Sequence, residues 1–262
     1  MTYNVISLLL NILNNSNSNK VDYAIAEGLL KNFKSISSVS IHEMAELCFV
    51  SPSSLSRFVK KHGFSGYGQF KQRCREEIDI EVDYSNSVRK AEHDDLLPVF
   101  QNYTNNIVQN LNYNLDMLQK VDLAHVCSLI HDAPDVAFLG LEFANIIGQH
   151  FQIKLAECNR FVHLKHFDAT DLELVDSLKD KSVVIIASLE GGYLYRNQDV
   201  LRRLKEKQMT IIAITMENQA KIYRDIDYLI FCNKFNSETE GRISLLHTLE
   251  FLIMTYFVNY KY

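Results

Sequence analysis

Tryptophan is absent from the 262 residues, proline occurs three times and glycine nine times. So few chain breakers exclude a collagen-like or Pro/Gly-rich disordered chain and leave room for long regular elements. Long apolar runs are missing too. Runs such as residues 183–187 and 211–214 fall far short of the roughly 18–20 residues a membrane span needs. The first apolar stretch has no basic flank, and residues 14–19 are Asn and Ser rather than a small-residue cleavage site, so no secretory signal is expected. The five cysteines (Cys48, Cys74, Cys127, Cys158 and Cys232) are odd in number and contain no close pair. That pattern argues against a disulfide framework and a zinc site, and for the reduced thiols of a cytoplasmic protein. His131, His150, His163 and His166 have no metal-ligand spacing with Cys or Asp, so neither a metal nor another cofactor is expected.

Acid is missing in one place. Residues 51–75 hold six basic side chains and no carboxylate. Residues 1–75 carry nine basic and four acidic groups (+5), and the remainder 18 and 28 (−10), which together give the overall −5. A cationic N-terminal module on an acidic body is the asymmetry expected when one part meets a polyanion, although a merely solvated basic face produces the same bias.

What is present is an ordinary globular composition, 47% apolar and 23% charged. At roughly 100–200 residues per domain, the length fits one large or two ordinary domains. Helical patterns at 5–13, 21–33, 41–48, 52–62 and from about 69 end in the acids Glu76, Glu77, Asp79, Glu81 and Asp83. Residues 84–95, "YSNSVRKAEHDD", carry no core pattern and read as a linker. The expected division is therefore 1–80, a linker at 81–95, and 96–262. In the last part, helices at 96–120 and 123–131 precede five apolar runs, "DVAFLG", "RFVHL", "SVVIIAS", "TIIAIT" and "DYLIFC", which alternate with helical segments. Nearly continuous Val/Ile/Leu/Phe is what parallel strands buried on both faces require. The expected fold is thus α plus α/β: an all-helical N-terminal domain and a three-layer α/β/α domain on a five-stranded parallel sheet. Ligands of such sheets sit beyond the carboxyl ends of the strands.

Two motifs carry chemistry. In "SIHEMAELCFVSPSSLSRFVKKHG", Ser40 and Glu43 have capping-box spacing, Ser51 can cap a second helix, Pro52 suits its first position and Gly63 its stop. Two short helices joined by about three residues form a helix-turn-helix. Ala45 permits close approach, and Val50, Leu55 and Phe58 supply the seam. Ser53, Ser54, Ser56, Arg57, Lys60 and Lys61 are left on the outer face. There the serines and Arg57 suit base edges in the major groove, and Lys60 and Lys61 suit phosphates.

"VDYAIAEGLLKNF…SIHEMAELCFVSPSSLSRFVKKHGFSGYGQFK" resembles the N-terminal domain of RpiR-type transcriptional regulators, most specifically over residues 57–71. The resemblance implies the same order throughout: a helix-turn-helix domain, a linker, and a sugar-isomerase-like (SIS) domain that pairs subunits and senses a ligand. It also implies double-stranded operator DNA as partner, a possible sugar or sugar-phosphate effector, a homodimer or homotetramer, and no membrane. One departure is Phe49, at a turn position usually held by Gly. A bulky residue there makes a left-handed turn the less expected geometry.

The ligand loops also depart from the family pattern. Phosphosugar binders in the family show Gly-x-Gly-x-Ser after the first strand and Ser-x-Ser-Gly-x-Thr/Ser after the third, so that backbone N–H groups and hydroxyls wrap a phosphate. Here "GLEFAN" keeps Gly140 but has Glu142 and Ala144, and "SLEGGY" keeps Ser188 and Gly191 but has Glu190 and Tyr193. Two carboxylates facing one anion pocket would repel a phosphate. Three readings stay open: no ligand, a neutral or cationic one accepted by Glu142 and Glu190, or a phosphate held by Ser188, Gly191 and Thr215. The alternative class is a sugar-phosphate isomerase with an accessory N-terminal domain, its base drawn from Glu238, Glu240 or His247. Without a phosphate cradle, an enzyme is not expected.

Overall fold

The structure, a computed structural model, describes residues 5–14, 19–77, 96–165, 170–216, 221–237 and 239–261. The chain divides into two compact units, Met1–Val82 and Asp83–Tyr262. The expected linker at 81–95 lies outside the described residues.

The first unit is helical: α1 Val5–Asn14, α2 Lys20–Lys31, α3 Phe33–Ile36, α4 Ile41–Leu47, α5 Pro52–Lys61 and α6 Tyr67–Glu77. Local chemistry sets its boundaries. Asn19 caps α2 through Val21 N–H, at 3.0 Å. Ser40 and Glu43 close a reciprocal box at the head of α4, with Glu43 N–H on Ser40 Oγ at 3.3 Å and Ser40 N–H on the Glu43 carboxylate at 2.7 Å. Ser51 Oγ accepts Ser54 N–H at 3.1 Å, and Pro52 follows where its missing N–H costs nothing. One face of each helix then closes on Leu9, Ile25, Leu29, Ile36, Met44, Leu55 and Phe70, all fully buried. At about 1.5–3 kcal/mol per large apolar side chain, this small core is what holds six short helices together.

The second unit opens with α7 Leu97–Leu118 and α8 Leu123–Asp132. It continues through β1 Val136–Gly140, α9 Phe143–Ala156, α10 Asp171–Ser177, β2 Val183–Ala187, α11 Gly192–Arg196 and α12 Gln198–Glu206. β3 Thr210–Met216, a 3₁₀ turn Lys221–Asp225, β4 Tyr228–Asn233 and α13 Gly241–Tyr260 complete it. All strand pairs are parallel in the order β1-β2-β3-β4. Strand residues alternate between two cores. Val136, Phe138, Ile185, Ile212 and Ile214 face α8, α9 and α13, while Ala137, Leu139, Val184, Ile186 and Ile211 face α10, α11 and α12. Continuous apolar strands therefore mean two buried faces, as expected.

The described sheet has four strands, not the five expected. "RFVHL" lies beside β1 but contributes a single bridge, with Phe138 N–H on His163 O at 3.0 Å and His163 N–H on Val136 O at 2.7 Å. Its other bonds lie off the ladder. Gln152 of α9 donates to the Val162 carbonyl at 2.6 Å, and Arg160 is drawn to Ala133 O, also at 2.6 Å. The segment falls between β1 and β2 in sequence yet pairs on the outer side of β1, so the winding reverses at β1 and opens the crevice beyond its carboxyl end.

Candidate DNA-binding helix and candidate ligand loops

The turn between α4 and α5 is left-handed after all. Phe49 has φ +55°, Phe49 N–H reaches Glu46 O at 3.0 Å and Val50 N–H reaches Ala45 O at 2.9 Å. That pair of bonds is a Schellman stop, which needs the left-handed residue whatever its side chain. The expectation against it weighed only the Cβ penalty, and the two recovered carbonyl bonds outweigh that penalty. Phe49 itself is 96% exposed. Gly28 of α2 lies under the same turn, where a Cβ would stand 2.8 Å from Cys48 Cα.

The turn sets α5 with Leu55, Phe58 and Val59 inward, Val59 being a core residue the sequence reading passed over. Ser53, Arg57, Lys60 and Lys61 are exposed, and Ser54 and Ser56 half-buried. The six do not contribute equally. Ser51 Oγ sits 2.8 Å from Ser53 Oγ and 2.9 Å from Ser54 Oγ, so the cap and the first turn share one hydroxyl cluster. Lys61 pairs with Asp22 of α2, and Lys71 donates to Val39 O at 2.9 Å. Arg57 and Lys60 form no ion pair among the described residues, so the acid-free run presents less unpaired charge than its count suggests. His62 ends the helix, its ring tilted against that of Phe58 with centroids 4.6 Å apart; burial pulls its imidazole below the ordinary value, against the pull of Asp22.

In the second unit, the loops after β1 and β2 meet at the carboxyl edge of the sheet, but the cradle is internally occupied. Gly140 is the close-approach glycine: a Cβ would lie 2.4 Å from that of Ala144 and 3.0 Å from Ala187 O. Glu142 (φ +42°) stands at the head of α9 with its side chain exposed and caps nothing. Ser188 Oγ accepts Tyr193 N–H at 3.0 Å, which ties the hydroxyl oxygen to the first turn of α11 and leaves its O–H a donor. Tyr193 is fully buried, and burial lifts its phenol well above the ordinary value. Thr215 is also buried, donating to Leu189 O at 3.1 Å and lying 2.7 Å from Tyr223 Oη. The same phenol faces Gly191 (φ +74°), 3.2 Å from where a Cβ would be. Glu190 is exposed and accepts Asn236 Nδ2 at 2.8 Å, which ties this loop to the one after β4. Tyr223 and Asn236 were missed in the sequence because nothing local marks them; each acts across the loop cluster.

The candidate bases are packed. Glu240 is buried and accepts Asn106 Nδ2 at 3.2 Å and Ser237 Oγ at 3.0 Å. His247 Nδ1 lies 2.6 Å from Asn114 Oδ1, and burial lowers its imidazole. Glu238 lies outside the described residues. Beside α10, Lys165 and Asp171 form a buried ion pair at 3.1 Å.

Comparison with known proteins agrees with both halves. Residues 7–80 match the helix-turn-helix domain of the rpiR family and residues 129–254 match the SIS domain. TTE0211 of Caldanaerobacter subterraneus subsp. tengcongensis, an uncharacterized HTH-type transcriptional regulator, is 22% identical over 213 residues, 79% of this chain and 73% of that protein. The Vibrio vulnificus NanR protein, solved in complex with ManNAc-6P, is similar with a TM-score of 0.50 and 13% identity, over 97% of this chain and 92% of its own. The sugar isomerase domain of an RpiR transcription factor from Sphaerobacter thermophilus gives 0.52 and 19%, over 63% of this chain and 92% of that one. At these identities the structures speak for the fold alone. With a DNA-binding module of this type ahead of a SIS domain, the chain belongs to the RpiR-type transcriptional regulators.

Proposed function

We propose that residues 1–80 bind a roughly palindromic operator as part of a homodimer or homotetramer, and that residues 96–262, joined through 81–95, pair the subunits. Two copies of α5 then enter successive major grooves about 34 Å apart. Ser53, Ser54, Ser56 and Arg57 read base edges, with Arg57 bidentate on guanine, and Lys60 and Lys61 hold phosphates. The observation that carries this reading is the outer face of α5, where exposed Ser53, Arg57 and Lys60 line one side of a helix whose head is capped by Ser51.

The second unit serves regulation and not catalysis on this reading. Gly140, Glu142, Ser188, Glu190, Gly191 and Thr215 form an altered effector pocket for a sugar-related molecule. NanR was solved with a sugar phosphate, but the Thr215 hydroxyl already donates to Leu189 O, and with Glu142 and Glu190 exposed at the loops this favours a neutral or amine-bearing sugar here. Control requires that such an effector bind two states with different affinity. The protein works in the cytoplasm, where DNA is; among the described residues no helix is long and apolar enough to cross a membrane.

Selection from a pool of random duplexes at near-physiological salt tests the reading. Enrichment of an inverted repeat is the expected result. Weak, salt-sensitive binding with no enriched motif would overturn it and promote the isomerase.

A further inference from the structure

Helix α7 buries polar side chains and exposes apolar ones. Asn106, Asn110 and Asn114 recur every four residues and face the body of the unit. Asn110 and Asn114 are fully buried. Asn110 Oδ1 accepts Lys234 N–H and Phe235 N–H, both at 3.1 Å, while its Nδ2 donates to Phe235 O at 2.9 Å. Asn114 donates to Thr248 Oγ1 at 2.9 Å. Asparagine is a mediocre helix former, and a buried helical position ordinarily takes Leu. This ladder fixes how α7 is rotated on β4 and α13.

About a third of a turn away runs a second stripe, Leu97, Phe100, Thr104, Val108, Leu111 and Leu115. Its apolar members stand in solvent: Leu97 65%, Phe100 57%, Val108 52% and Leu115 44% exposed, with Leu111 half-buried. At 100° per residue all six fall within about a quarter of a turn, along roughly 27 Å of helix. The stripe also reads nearly the same from either end. Turned over about the turn between Thr104 and Val108, Leu97 falls on Leu115, Phe100 on Leu111 and Thr104 on Val108. That is the condition for an isologous contact, in which residue i meets j and j meets i. Charge agrees, because Asp116 is the only charged residue in the 22 of α7. Nothing on this helix attracts a nucleic acid or a charged partner, and nothing repels a copy of itself; depletion of charge is what the core of an interface shows.

We propose that α7 pairs antiparallel with α7 of a second copy of this chain, with the twofold axis between Thr104 and Val108. This deepens, and rests on, the reading of the second unit as the one that pairs subunits. A helix seam of this length covers about 300 Å² per copy, against about 800 Å² for a standard interface, so α7 forms the centre of the contact and its surroundings the rim. Ile146 and Ile153 on α9 are exposed as well and define the competing face.

The test uses the full chain in solution. Val108→Glu puts a carboxylate into the seam at a position with little packing to lose; the dimer should weaken at least tenfold by sedimentation, with the second unit melting as before. Ile153→Glu, the same charge on α9, should leave the dimer unchanged. Cysteine exchange then reads the geometry without a destabilising change. The five native thiols are buried, and burial pushes Cys48 up to about 11 and Cys127 to about 12, so they are poor competitors. Thr104→Cys and Val108→Cys proteins, mixed and oxidised, should cross-link to each other more than either does to itself. Equal self-linking, linking only through Ile153→Cys, or a dimer indifferent to Val108→Glu would overturn the α7 seam while leaving pairing intact. A protein monomeric at every concentration overturns both, and operator selection then reports separately on DNA reading.

Discussion

Phe49 holds a left-handed conformation (φ +55°) that glycine adopts freely, and its ring is 96% exposed. Replacing it with glycine therefore removes strain and almost no packing. For an L-residue the left-handed region costs about 1–2 kcal/mol. The extra freedom that glycine brings to the unfolded chain gives back about 0.5–1 kcal/mol. Phe49→Gly should stabilise the first unit by about 0.5–1 kcal/mol, raising the midpoint of a unit this size by about 2–8 °C. Calorimetry of the full chain, with hydrogen exchange at the α4 and α5 amides to assign the transition, measures it. Phe49→Ala is the control, because it removes the ring but keeps the Cβ and the strain, and should change stability little. If alanine stabilised as much as glycine, the exposed ring and not the backbone would be the source. If glycine destabilised, the Schellman geometry would be refuted.

Further outcomes follow from the same structure. Arg57→Ala should lose roughly 1–3 kcal/mol on the selected operator and little on random DNA; equal losses on both would refute base reading. Lys60→Ala should weaken all sequences alike and make the salt dependence shallower by about one unit. Because Lys61 is already paired with Asp22, Lys61→Ala should change the salt slope less than Lys60→Ala does, as binding titrations across salt will show. At the buried Lys165–Asp171 pair, Asp171→Ala should destabilise the second unit by about 3–5 kcal/mol, and Lys165→Met with Asp171→Leu should recover most of it. For pH, burial holds His62 and His247 below the ordinary value. The unfolded chain then binds more protons near and below its own value of about 6.5, so stability rises with pH through that window and falls on acidification. Melting from pH 7.5 to 5 should show the fall, smaller in His62→Gln and His247→Gln; an unchanged slope in both would remove the histidines as its cause.

Much of the first unit was readable because its signals are local. Ser40 and Glu43, Ser51 and Pro52, and Gly63 act within a few residues of themselves, and all sit where the sequence put them. The exposed basic face of α5 follows from helical period alone. Phe49 was misjudged because its strain is local while the bonds compensating it run back to Glu46 and Ala45. A fifth strand is expected because "RFVHL" has strand composition, yet the folded segment makes one bridge to β1 and its remaining bonds go to Gln152 of α9 and to Ala133 O.

By itself the sequence determined the two-part order, the helix-turn-helix and its basic outer face, and a parallel sheet buried on both sides. These rest on spacing, capping and apolar continuity, which each segment expresses alone. Tertiary structure decided that the Thr215 hydroxyl is already donated to Leu189 O, that Lys61 answers to Asp22, and that α7 turns its asparagines inward. Each depends on groups far apart in the chain competing for one hydrogen bond or one charge, and only the folded backbone brings those groups within reach.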